Sequence, residues 1–186
     1  MNERVFEILN FCFTEYTLKD FFKKNDNFDK QIKNRFCEDY NKAINNELDD
    51  WQDEPEHCLS LIILLDQFSR NLFRDDPRAY KQDYKARLLT NESIDRGDLE
   101  KLNTNQALFL LLPLIHSEDI SDHIFANKLA EIYLKKHPDF KIIIKSWSEH
   151  THVIKRFNRY PHRNEILKRN STNSEINFLK DSSISF

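Results

Sequence analysis

Glycine is almost missing from this sequence: Gly97 is the one glycine among 186 residues. Phosphate-binding loops of the Walker type and the dinucleotide fingerprint need several glycines for close backbone approach, so both are excluded. The strained G-x-S-x-G turn of a hydrolase nucleophile is excluded as well. Cysteine is scarce too. Cys12, Cys37 and Cys58 form no C-x-x-C pair and leave one thiol over in any disulfide scheme, which predicts free thiols in a reducing compartment. No run of 18 apolar residues exists, and Glu3 and Glu7 interrupt the apolar start that a signal peptide would need. The expectation is a cytoplasmic chain with no membrane span.

What is present builds a core. Hydrophobic residues make up 39% of the chain and charged residues 32%, too apolar for disorder, and the length fits one domain over residues 1–186. The net charge of −3 hides an asymmetry. Residues 1–100 hold 15 basic against 22 acidic side chains, and residues 101–186 hold 13 against 9. Between Lys155 and Arg169 six basic residues accompany one acidic one, a patch that either receives an anion or meets the acidic stretch from Glu38 to Glu56.

Apolar residues recur at three- and four-residue spacing throughout, with no sustained period-2 run, which predicts an all-α fold. A first helix covers about Glu3 to Phe13 with Val5, Phe6, Leu9 and Phe13 inward. A second covers about Phe28 to Asn46 along Ile32, Phe36, Tyr40 and Ala43/Ile44. Pro55 after Asp53 and Glu54 starts a third, and Leu59 to Leu65, apolar nearly all round, marks it as the buried centre. Pro77 starts a fourth with Ala79, Tyr80, Tyr84 and Leu88 inward, and Gly97 terminates the segment after it. Asn103 or Thr104 opens a fifth, limited or kinked by Pro113. Ser117, Glu118 and Asp119 open a sixth that carries Ile120, Ile124, Leu129 and Tyr133 inward as far as Lys136. A seventh follows Pro138. Thr172-x-x-Glu175 has capping-box spacing for a last helix. Short connections between these segments predict about seven to nine helices in antiparallel hairpins.

Three clusters carry candidate chemistry. In the first, Asp66 enters a core helix and Arg70 and Arg74 follow at four-residue steps, one face with an excess positive charge suited to carboxylate or phosphate. The competing reading is packing, with each arginine consumed by an acid. In the second, His116 and His123 are two helical turns apart with Glu118 nearby. That is weak metal spacing, and no metal or cofactor is expected. In the third, Arg159, His162, Arg163 and Asn164 surround the Tyr160-Pro161 break and present donors from a loop. Phe157 and Tyr160 interleave with the basic residues, but the acidic net charge argues against nucleic acid. Proton transfer near neutrality falls to His116, His150 or His162.

On LLDQFSRN (Leu64–Asn71), FRDDPRAY (to Tyr80), LPLIHSED (Leu112–Asp119) and RFNRYPHRNEIL (Arg156–Leu167), the chain resembles the bacterial DUF924 family of uncharacterised proteins. The acidic ELDDW (Glu47–Trp51) and the closing NSTNSEINFL (Asn170–Leu179) extend the likeness over nearly the whole chain. The resemblance implies a tetratricopeptide-like arrangement of helices, an αα-superhelix, and brings no established activity with it. Asn46, Ser69, Asn158 and Lys168 stand where that family commonly has Gly or Pro, and Cys12 where it often has Trp. Its motifs also include the residues picked out by charge and spacing. Asp66, Arg70, Asn71, Arg74, His116, Glu118, Arg159, His162, Arg163 and Asn164 are therefore expected around one cleft. Its occupant is read as a small anionic ligand bearing phosphate or carboxylate, with catalysis left open. The alternative is a module that binds a protein or peptide, in which the polar residues only lock helices together.

Overall fold

The structure is a computed structural model that describes residues 2–21 and 24–181. Among them every regular element is helical and there is no strand. The α-helices are α1 (Glu3–Asn10), α2 (Leu18–Phe21), α3 (Asp26–Ile44), α4 (Pro55–Ile62), α5 (Ser69–Leu72), α6 (Asp83–Asp95), α7 (Thr104–His116), α8 (Ile120–Tyr133), α9 (Phe140–Phe157) and α10 (Asn173–Asp181). Two stretches are π-wound: Phe11–Glu15 extends α1, and Ile63–Phe68 joins α4 to α5 so that 55–72 is one continuous rod. No helix is long and apolar enough to cross a membrane.

Local signals set most helix starts. Pro55 occupies the first turn of α4, where its missing N–H costs nothing. Asn103 caps α7 in a reciprocal box with Gln106, and Thr172 with Glu175 forms the box that opens α10. Asp119, rather than Ser117, caps α8. Gly97 follows α6 at φ +76°, a left-handed stop. Pro113 neither ends nor limits α7, which continues to His116 with the ring buried inside it. α8 stops at Tyr133, short of Lys136.

The rod at 55–72 and α7 form the centre. Leu59, Leu61 to Leu65 and Phe68 are buried on all sides, as are Ala107 to Ile115. At roughly 1.5–3 kcal/mol per fully buried large apolar side chain, these two segments dominate the cohesion of the molecule. Phe11 packs against the rod through Phe68 (5.8 Å) and against α3 through Phe28 (5.6 Å) and Phe36 (5.1 Å). α6, α7, α8 and α9 then pack in sequence, each on the one before. A smaller second core of Val153, Ile154 and Tyr160, with Ile120, Phe157 and Phe178 against it, lies beside the main one.

Four residues expected inward face solvent. Phe6 is off the 5, 8, 9 face that α1 buries. The stripe through Ala79, Tyr80, Tyr84 and Leu88 was carried across a break. A separate 3-10 turn at Pro77–Tyr80 shifts the phase before α6 begins, so α6 buries Ala86, Leu89, Thr90 and Ser93 and exposes Tyr84 and Leu88. α8 similarly buries Asp122, His123, Ala126, Leu129 and Ala130, leaving Ile124 outside.

Three of the four positions where Gly or Pro is commoner have left-handed backbone: Asn46 (φ 63°), Asn158 (φ 54°) and Lys168 (φ 56°). Ser69 is an ordinary helical residue at φ −54°. Asparagine adopts the left-handed region readily, whereas lysine gives up roughly 1–2 kcal/mol there. Replacing Lys168 with glycine is therefore expected to raise stability by about 0.5–1 kcal/mol, read as a higher urea midpoint at unchanged slope. A lower midpoint would show that the lysine side chain contributes more than its backbone loses.

Candidate functional site

Asp66 sits in the π-wound stretch and is fully buried. An acid there needs partners, and it has three. Nδ1 of His116, the last residue of α7, lies 2.9 Å from both carboxylate oxygens. Gln67 donates through Nε2 at 2.5 Å. Arg70, one turn on, places Nη1 3.1 Å from Oδ1 and also donates to the Asp66 backbone carbonyl. Burial alone pushes the Asp66 carboxyl up, but Arg70 and His116 outweigh it and hold it well below the usual carboxylate range. An ionised carboxylate only accepts, so the Nδ1 proton of His116 points at it and Nε2 carries the lone pair. Burial lowers the His116 pKa against the pull of Asp66, and Arg70 lowers it further. His116 is thus neutral at pH 7, held by Nδ1, with a basic Nε2 left over.

Asp83, in the first turn of α6, joins this pair to the C-terminal part of the chain. Arg70 Nη2 lies 3.1 Å from both of its oxygens, and Arg163 Nη1 lies 3.3 Å from Oδ2. One carboxylate therefore serves two guanidinium groups. Burial pushes the Asp83 carboxyl up, and the two arginines act against it.

Arg163 is the least compensated member. It ends the short 3-10 turn that Pro161 starts, and its side chain is 8% exposed. The guanidinium carbon lies 4.7 Å from the centre of the Tyr80 ring and 4.5 Å from that of Tyr160. Its Nε is buried with no hydrogen-bond partner. Burial and then Arg70 lower its pKa, with Asp83 opposing. Among the described arginines whose pKa is shifted, the other eight move up.

Tyr160 fixes the turn. Its hydroxyl donates to the Ile115 carbonyl, one residue before His116, and its N–H donates to Glu118 at 2.8 Å. The rings of His123, His150 and His162 surround it at 6.2, 5.9 and 5.4 Å. All three imidazoles are shifted down by burial, His162 to about 3, where Arg163 adds to the effect.

The ten residues expected around one cleft do not form one cluster. Asp66, Arg70, His116 and Arg163 come together, with His162 at the same turn. Asn71 and Arg74 instead hold Asp29 of α3, Asn71 at 2.8 Å and Arg74 through two nitrogens. The four-residue step from Arg70 to Arg74 is thus split between two acids. Glu118 pairs with Arg169 at 2.6 Å. Arg159 pairs with Glu175 at 2.6 Å. Asn164 accepts from Arg169 Nε and donates to Ser171. These three ties fasten the C-terminal turns. His116 and His123 share no helix: His123, on α8, faces the Ser117 carbonyl and Thr151. Among the described residues no group of three or more His, Cys, Asp or Glu is placed to hold a metal ion.

Sequence reasoning missed Asp83, Tyr80 and Tyr160 as members of the cluster. Asp83 carries a faint signal, an acid in the first turn of a helix, but that pattern ordinarily marks only the helix dipole.

Residues 8–183 match the family described as bacterial protein of unknown function (DUF924). A solved structure, that of the protein of unknown function ATU0120 from Agrobacterium tumefaciens, is similar to this one. It is 32% identical, with 96% of this chain and 97% of that one covered and a TM-score of 0.87. No curated protein matches the chain.

Proposed function

Because the chain belongs to the DUF924 family, whose description names no activity, its function is read from its own side chains, and we propose that Asp66, Arg70, Asp83, His116 and Arg163 receive a small anionic ligand. The carrying observation is Arg163: a guanidinium packed against two tyrosine rings, sharing its one acid with Arg70 and keeping a buried Nε without an acceptor. A buried donor left unsatisfied costs about 1–3 kcal/mol, and an incoming anion that accepts from Nε relieves that cost. His116 supplies the proton-accepting atom. Its Nε2 is unprotonated and free to accept a proton, while Asp66 and Gln67 hold the pair in place. Arg74, Arg159 and Arg169 belong to the fastening of the fold.

The test is a thermal-shift series against phosphates, nucleotides, carboxylates and divalent cations. An anion at about 100 times its dissociation constant stabilises by about 2.7 kcal/mol, or roughly 5–11 °C for a chain of this size. The response is expected to vanish in Arg163→Ala and to persist in Arg74→Ala, which removes an arginine committed to Asp29. Loss of the response in both variants, or no response in the wild type, sinks the ligand reading and returns the cluster to a structural role.

A further inference from the structure

Five arginines of this protein grip an acid by one and the same edge, whereas Arg35 and Arg169 hold Glu15 and Glu118 through Nη1 and Nη2. Arg78 places Nε 3.0 Å and Nη2 2.9 Å from the two oxygens of Asp76. Arg87 does the same to Asp122 at 2.5 and 3.0 Å, and Arg159 to Glu175 at 2.6 and 2.8 Å. Arg4 on Asp39 and Arg74 on Asp29 repeat the arrangement. Each uses the Nε–Nη2 edge, where two parallel N–H bonds meet a planar carboxylate. Arg163 is turned differently. It spends Nη1 on Asp83 and leaves the Nε–Nη2 edge without a carboxylate, although its side chain is more than nine-tenths buried.

Resting on the reading that this cluster takes an anion, we propose that the Nε–Nη2 edge of Arg163 is the seat of a ligand carboxylate, and that the ligand is a small monocarboxylic acid rather than a phosphate ester. Charge favours the monoanion. Asp66 and Asp83 already balance Arg70 and Arg163, with both nearby imidazoles neutral. A carboxylate therefore adds one negative charge, which one proton on His116 Nε2 neutralises, whereas a phosphate dianion adds two beside two resident carboxylates. The surroundings agree. Phosphate sites draw on glycine-rich backbone and helix N-termini, and the single glycine, Gly97, closes α6 elsewhere. Here the guanidinium carbon lies over the Tyr80 and Tyr160 rings, an aromatic rather than a glycine-rich surrounding.

The experiment titrates the full chain with propionate, benzoate, inorganic phosphate and phenyl phosphate while following the Nε–H resonance of Arg163 by NMR. It is repeated on Arg163→Lys, which keeps the charge and lacks the edge. Carboxylates are expected to saturate, to shift that resonance, and to bind at least tenfold more tightly than the phosphates and at least tenfold more weakly to the lysine variant. The wild-type resonance decides the matter even if Arg163→Lys fails to fold. Tighter phosphate binding, or carboxylate binding that leaves the resonance unmoved, overturns the carboxylate seat and leaves the anion reading standing. Absence of binding by all four probes overturns both.

Discussion

Acidification from pH 7.5 to 5.5 is expected to weaken the fold progressively, before carboxylates begin to titrate. The cause is imidazole burial. His116, His123, His137, His150 and His162 all have pKa values shifted down by burial, and His162 is pushed to about 3. In the unfolded chain each takes a proton near its ordinary value of about 6.5. Between the two values the unfolded state binds more protons, so stability falls as the pH falls. The contribution is complete above about 6.5 and shrinks on the way down; for His162 alone the loss is about 1.4 kcal/mol per pH unit through that window. Asp66 and Glu175, held low by their arginines, add to the loss only below their unfolded values near 4. Urea midpoints at pH 7.5, 6.5 and 5.5 measure it. A midpoint that stays level over this range would falsify the claim that these imidazoles are held neutral in the folded chain.

Asp66→Asn is expected to be the most damaging isosteric change in the molecule. The substitution keeps the volume and deletes the charge. Arg70 is then left with Asp83, which already serves Arg163, and His116 faces an amide that donates as well as accepts and so no longer fixes its tautomer. Removing one partner of a buried ion pair costs about 3–5 kcal/mol because the other charge stays behind. For a chain of this length that lowers the melting temperature by roughly 6–20 °C. Arg78→Ala, which breaks an exposed pair with Asp76, is the matched control and should leave the melting temperature in place. If the two variants melt together, the Asp66 charge is not holding the cluster.

Much of the fold was legible because its signals are local. Pro55, Gly97, Asn103 and the Thr172–Glu175 box act within a single turn, and each marked the boundary where it acts. The apolar run from Leu59 to Leu65 revealed the buried centre for the same reason. The phase errors at Tyr84, Leu88 and Ile124 arose where a 3.6-residue period was carried across a turn or where a helix buries small and polar residues. The π winding at Ile63–Phe68 leaves no trace in periodicity. In the candidate site, composition found Asp66, Arg70, His116 and Arg163, but pairing is a long-range property. Asp29 is taken by Arg74 from 45 residues away, and Arg163 reaches Asp83 across 80. No spacing rule reports such partners.

The division of the interior into a large core and a small one bears on how tightly any ligand is held. Asp66, Arg70 and Asp83 stand on helices of the large core, whereas Arg163 ends the turn that Tyr160 precedes, and the neighbours of Tyr160 are Val153 and Ile154 of the small one. Local opening of a small core ordinarily costs less free energy than global unfolding. An opening that parts Tyr160 from Ile115 would also separate Arg163 from Asp83 and leave the proposed anion site without one of its two guanidinium groups. Apparent affinity is the intrinsic affinity scaled by the fraction of time the two are joined. In the proposed anion site, residues away from the ligand such as Phe157 and Phe178 would act on occupancy through that fraction, and a bound anion would in turn fasten one core to the other.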